Sequence, residues 1–110
     1  MGAVDSIWLT LDRPDNLMVI DSIMLLEGPA DWERVAQVVQ RRLVDRYPVF
    51  RQRPVPSSNP VGMPHWEDDE DFALEHHLHR RTLDEPGDEA ALQAFVEQQM
   101  QTPLERSRPL

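Results

Sequence analysis

Neither cysteine nor lysine occurs anywhere in the 110 residues. Without cysteine there is no disulfide framework, no thiolate nucleophile and no cysteine-ligated zinc, so a reducing compartment is permitted and the cytosol is the expected location. Without lysine every basic side chain is an arginine; 11 of them stand against 20 acidic residues, for a formal charge of -9. A surface of that sign repels a nucleic-acid backbone, and no nucleic-acid partner is expected. The missing lysine itself reads as compositional bias rather than mechanism. Glycine is scarce, with 4 in the chain, and there is no glycine-rich phosphate loop, dinucleotide fingerprint or nucleophile elbow around a serine. Long apolar runs are missing too. The opening "MGAVDSIWLTLDR" carries Asp5 where a secretory leader would carry basic charge, and its apolar stretch is too short to span a bilayer.

What remains is a chain of one domain, or a piece of one. From Asn16 to Gly28, "NLMVIDSIMLLEG" is apolar on both alternating faces: Val19, Ile23 and Leu25 on one, Met18, Ile20, Met24 and Leu26 on the other. That pattern predicts a central strand covered on both sides, interrupted only by Asp21 and Ser22. Asp31 is the expected N-cap of a helix from Trp32 to about Arg46, with Trp32, Val35, Ala36, Val39 and Leu43 as its stripe and Pro48 as its stop. Arg41, Arg42 and Arg46 in its last turn suit the negative end of the helix dipole.

A strand over Val49–Arg53 is expected next, then a Pro-rich connection, then a second strand over Met63–Glu67 that pairs back. The acidic run Glu67–Asp71 reads as a solvated turn, since it lacks the glycine and ligand spacing of a calcium loop. From Glu75 to Thr82 the period of two predicts a half-exposed strand, with His76, Leu78 and Arg80 on one face and His77, His79 and Arg81 on the other. Gly87-Asp88 opens a second helix through Leu92, Phe95, Val96 and Met100, closed at Thr102-Pro103. The class is α+β, a mixed sheet with two main helices.

Three of the 4 histidines fall in "EHHLHR". Two imidazoles at i and i+2 on a strand can face one zinc ion, here His77 and His79 with Glu67, Asp69 or His65 as third ligand. Against this, Arg80 and Arg81 repel a cation. A histidine serving as general base needs a hydroxyl within reach and a group that orients the ring. The acyltransferase motif His-His-x-x-x-Asp-Gly supplies both at set spacing, but here His76-His77 is followed by Leu78, His79, Arg80, Arg81 and Thr82, which fails at both diagnostic positions. The chain carries no self-contained catalytic constellation.

Four segments in register nonetheless resemble the bacterial wax ester synthase and acyl-CoA:diacylglycerol acyltransferases. "VDSIWLTLDRPDNLMVIDSIMLLEG" is similar to the family's opening segment and first long strand, and "DWERVAQVVQRRLVDRYPVFRQRPV" to its first helix and next strand. "PHWEDDEDFALEHHLHR" resembles a stretch ending Trp-x-x-Asp-x-x-Phe-Asp-Leu-x-x-His. Trp66, Asp69, Phe72, Leu74 and His77 fall on that pattern, with Ala73 in place of its aspartate. "TPLERSRPL" resembles the approach to a Pro-Leu-Trp motif, so that Pro109 and Leu110 match its first two residues.

The resemblance implies the opening part of the first lobe of a chloramphenicol-acetyltransferase-like fold. It assigns residues 1–110 to a partial N-terminal domain that precedes the catalytic histidine motif. It further implies transfer of a fatty acyl group from acyl-CoA, as co-substrate, to diacylglycerol or a long-chain alcohol. The seven motif residues would be structural or line the substrate wall, with no catalytic residue, metal or bound cofactor in this chain. Expected partners are the remainder of the acyltransferase and lipid substrates, with the full enzyme peripheral at a membrane or lipid droplet. A free-standing acidic interaction or metal-binding module is the alternative. The chain alone is expected to be inactive and prone to associate through uncovered apolar surface.

Overall fold

A computed structural model describes residues 1–109. Among them are α1 (Ala3–Leu11), α2 (Trp32–Val39), β1 (Gln52–Val55), β2 (His65–Asp68) and α3 (Glu89–Met100), with short 3₁₀ turns at Pro48–Arg51 and Leu74–His76. The class is α+β. The sheet is a two-stranded antiparallel hairpin rather than a mixed sheet, and three α-helices stand where two were expected.

The extra helix is α1. Asp5 at its third position accepts from the Gly2 N–H at 3.2 Å, and Asp12 ends it by donating its N–H to Trp8 at 3.0 Å. A tight turn at Pro14-Asp15 follows, closed by reciprocal backbone bonds between Arg13 and Asn16. The chain then runs through residues 19–30 without forming a strand. Among the described residues, the backbone of this segment makes no hydrogen bond, and Ile20 (93% exposed), Met24 (84%), Leu25 (80%) and Leu26 (78%) face solvent. The strand expected over Asn16–Gly28 is therefore not realised. A strand exists only beside another strand, and among the described residues no backbone pairs with this one.

α2 begins as expected, with the Asp31 carboxylate accepting from the Arg34 N–H at 3.2 Å. Its last turn widens into a π-helical turn over Gln40–Val44, where Asp45 N–H donates five residues back to Gln40 at 2.8 Å. The wider turn delays the helical phase. Val44, off the predicted stripe, is thereby buried (4% exposed), while Leu43, on the stripe, is 40% exposed. Arg51 closes this end by donating to the Val44 carbonyl at 2.9 Å.

The first hairpin strand begins three residues later than expected, because Pro48 opens a 3₁₀ turn that takes Val49, Phe50 and Arg51. Its partner, predicted over Met63–Glu67, lies at His65–Asp68. Arg53 faces Glu67 across the ladder with a 3.6 Å ion pair, and Gln52 donates to Asp68 at 2.8 Å, so cross-strand polar pairs set the register. The connecting loop is held by its own side chains: Ser57 Oγ accepts from Asn59 N–H, and Asn59 Oδ1 from Val61 N–H.

The strand predicted over Glu75–Thr82 is replaced by the Leu74–His76 turn and irregular chain. The carbonyls of Ala73 and Leu74 take the N–H groups of His76, His77 and Leu78 at 2.9–3.0 Å, which leaves those donors unavailable to a ladder. α3 starts as predicted: Gly87 adopts φ +66, a left-handed conformation suited to glycine, and Asp88 caps the helix by accepting from Ala91 N–H at 3.0 Å.

The whole is open. Its accessible surface is 9376 Å², against about 6,300 Å² expected of a compact monomer of this mass. Its radius of gyration is 16.6 Å, against about 13 Å for a compact chain of similar length.

Candidate functional site

Four of the motif residues meet on one wall. The half-buried ring of Phe72 stacks on the His77 imidazole, centroids 5.1 Å apart and planes 19° from parallel. Leu74, whose carbonyl accepts from both His77 and Leu78, turns the chain so that its own side chain joins them. Together with Val39, Val44 and the buried Pro109 they line an apolar groove of about 540 Å³. Pro109 thus belongs to the site by geometry as well as by motif; Leu110 lies outside the described residues.

Asp69 serves the backbone. Its N–H donates to the Arg51 carbonyl at 2.8 Å, its carbonyl accepts from Phe72 at 3.1 Å, and its carboxylate accepts from Asp71 N–H at 3.2 Å. It shapes the turn that delivers Phe72 and His77. Trp66 stands apart, half-buried against a smaller hollow of about 210 Å³ that Trp8, Met18, Val19 and Leu104 share. One family pattern therefore maps to two places in the fold.

His77 also borders a polar cleft of about 450 Å³ with Arg53, Asp69, Asp71, His76 and Arg108. Burial holds its imidazole below the ordinary value of 6.5; His76, Arg108 and His79 add to the depression, and Asp69 opposes it. A neutral ring at neutral pH follows. Among the described residues, however, its nitrogens make no hydrogen bond, and no histidine is bonded to a hydroxyl. The ring is packed as wall, without the orienting partner that a general base requires.

The zinc geometry of the rival reading also dissolves, because residues 77 and 79 no longer alternate on a strand. His77 and His79 both border the apolar groove and a second hollow with Arg81 and Phe95, but no group of three histidine or carboxylate ligands forms among the described residues. His65 instead meets Glu67 at 3.1 Å on the hairpin.

Sequence reasoning missed two arginines. Arg106 Nη2 donates to the carbonyls of Leu9 and Asp12 and to Asp12 Oδ2, each at 2.8 Å, which ties the last described segment to the end of α1. The Arg106 hydrogen bond holds the Asp12 carboxyl below its ordinary value, and the Met18 N–H adds to the effect. Arg108 borders both the apolar groove and the polar cleft. The pairing of Arg106 with Asp12 spans 94 residues, and no local pattern could reveal it. No helix among the described residues is long and apolar enough to cross a membrane.

These features sit in a chain that matches, over residues 1–110, the model of the wax ester synthase/diacylglycerol acyltransferase catalytic domain, and the chain belongs to that family. It is 27% identical over its full length to a probable diacylglycerol O-acyltransferase of Mycobacterium tuberculosis, covering 41% of that protein. It is 33% identical to a putative diacylglycerol O-acyltransferase of the same species, again over all of this chain, covering 24% of that relative. To the O-acyltransferase WSD of Acinetobacter baylyi it is 28% identical over 97% of its own length and 23% of the relative's. The chain thus spans less than half the length of these curated relatives. No solved structure matches it.

Proposed function

We propose that these residues form the opening part of the first lobe of a chloramphenicol-acetyltransferase-like enzyme. That enzyme moves a fatty acyl group from acyl-CoA to diacylglycerol or a long-chain alcohol. The observation that carries the reading is the family match over the whole chain, and the apolar groove under Phe72, Leu74 and Pro109 supports it as a stretch of wall for an acyl chain. His77, neutral and stacked, belongs to that wall. The base that takes the proton from the acceptor hydroxyl comes from the family's His-His-x-x-x-Asp-Gly motif, outside these residues. The resulting oxyanion attacks the thioester carbonyl, the C–S bond breaks, and the CoA thiolate leaves to be protonated. The lipid acceptor places the working enzyme at a membrane or droplet surface.

The test is complementation. The chain is co-expressed with the part of the Acinetobacter baylyi O-acyltransferase that lies beyond its match, and esterification of palmitoyl-CoA with diacylglycerol or hexadecanol is assayed. Turnover is expected from the pair and not from the chain alone. Turnover by the isolated chain that disappears in His77→Ala would overturn the reading and make His77 the base.

A further inference from the structure

We propose that the His77 ring is the end wall of the apolar groove and sets the length of the alkyl chain that the groove accepts. The inference rests on the function proposed above and names the residue that fixes its chain-length preference. Its basis is the meeting of three hollows at one side chain. His77 borders the apolar groove, the polar cleft and the hollow of about 500 Å³ at Arg81 and Phe95, and no other described residue borders all three. The ring is half-buried and stacked on Phe72 at 5.1 Å. Among the described residues its nitrogens bond to nothing, so packing holds it there, and its bulk rather than its polarity forms the wall.

The groove selects its occupant. Its buried members, Val44 and Pro109, are apolar, whereas its charged members, Glu105 and Arg108, are exposed. An apolar floor under a rim of opposite charges suits one unbranched chain ending in a neutral hydroxyl, which can donate to a carboxylate and accept from a guanidinium. A chain that reaches His77 finds the same ring across both ways onward. The cleft on one side, with Asp69, Asp71 and Arg108, does not favour a methylene; the hollow on the other, with Leu78 and Phe95, does. Removing the ring therefore lengthens the groove toward Phe95.

The test titrates the chain itself with 1-alkanols from hexanol to dodecanol, followed by calorimetry and by proton NMR of the histidine rings. Affinity should rise roughly fourfold with each added methylene and level off within the series. The His77 resonance, assigned by its loss in His77→Phe, should move only with alkanols at or beyond the length where affinity levels off. His77→Ala should carry the rise further and bind dodecanol at least ~10-fold more tightly than the parent. His77→Phe, which restores bulk without polarity, should level off where the parent does. Absence of binding, a series that never levels off, a His77 resonance indifferent to chain length, or an alanine variant that levels off with the parent would overturn the inference. If circular dichroism shows His77→Ala unfolded, the parent's His77 resonance and the phenylalanine variant decide. None of these readouts needs turnover. A series that levels off, without esterification by the co-expressed pair, would remove the acyltransferase reading and leave the end wall; esterification beside a series that never levels off would do the reverse.

Discussion

The hairpin and the apolar run before α2 reverse each other's expected roles. β1, "QRPV", is polar and contains a proline, yet it is paired along its length, Pro54 lying opposite Trp66. Residues 19–26 are rich in β-favouring and apolar side chains, yet they are unpaired. What separates them is the availability of a neighbour. The hairpin strands are joined directly by one loop, residues 56–64, braced by its own side-chain bonds, whereas the apolar run has no strand beside it among the described residues. Pro54 is tolerated because each strand of a two-stranded sheet has an open edge.

The contrast can be broken first at Val44, where α2, the π-helical turn and the Arg51 contact converge. Val44→Asp would place a charge in a buried apolar position, at a cost of about 3 kcal/mol or more. Loss of the helical signal at 222 nm at temperatures where the parent retains it is the expected result; an unchanged melt would mean that this end does not pack as described. Val44→Ala should cost about 1.5 kcal/mol, from two methyl groups at ~0.8 kcal/mol each.

Arg106 comes next. Its side chain is 41% exposed and that of Asp12 17% exposed, so solvent screening reduces three charge-assisted bonds to about 1 kcal/mol together. Arg106→Gln and Asp12→Asn should each lower urea stability by about that amount, and the double variant should lose little more than either alone. Additive losses would show that the pair does not interact. The Asp12 carboxyl sits below its ordinary 3.8. Its contribution is therefore present at neutral pH and disappears as pH falls through the depressed folded value.

A shallower effect belongs to His77. Its folded-state pKa lies below 6.5, so in the window beneath 6.5 the unfolded chain binds more protons, and stability falls as pH drops. The melting temperature should be lower at pH 5.5 than at 7.5, and His77→Gln should flatten that slope. A slope unaltered by the substitution would remove His77 from the packed wall.

The smallest effect is expected in the apolar run itself. Ile23→Pro should change the stability of the isolated chain by no more than about 0.5 kcal/mol, because no hydrogen bond or buried contact is lost. A clear destabilisation in a urea melt would reveal pairing within the chain and erase the contrast with the hairpin.

The sequence by itself determined the local features whose causes lie within a few residues: the Asp31 cap, the helix opening at Gly87-Asp88, a second hairpin strand overlapping the observed His65–Asp68, and the family, written in four segments in register. The folded backbone, both in its local turns and in its tertiary contacts, decided the rest. A widened turn buried Val44 in place of Leu43, and local carbonyls captured the donors of the predicted histidine strand. Arg106 reached across 94 residues to close α1. Periodicity could not predict these outcomes, because side-chain alternation describes what a segment could bury, whereas a strand or a clasp forms only when another part of the chain arrives with matching donors and acceptors.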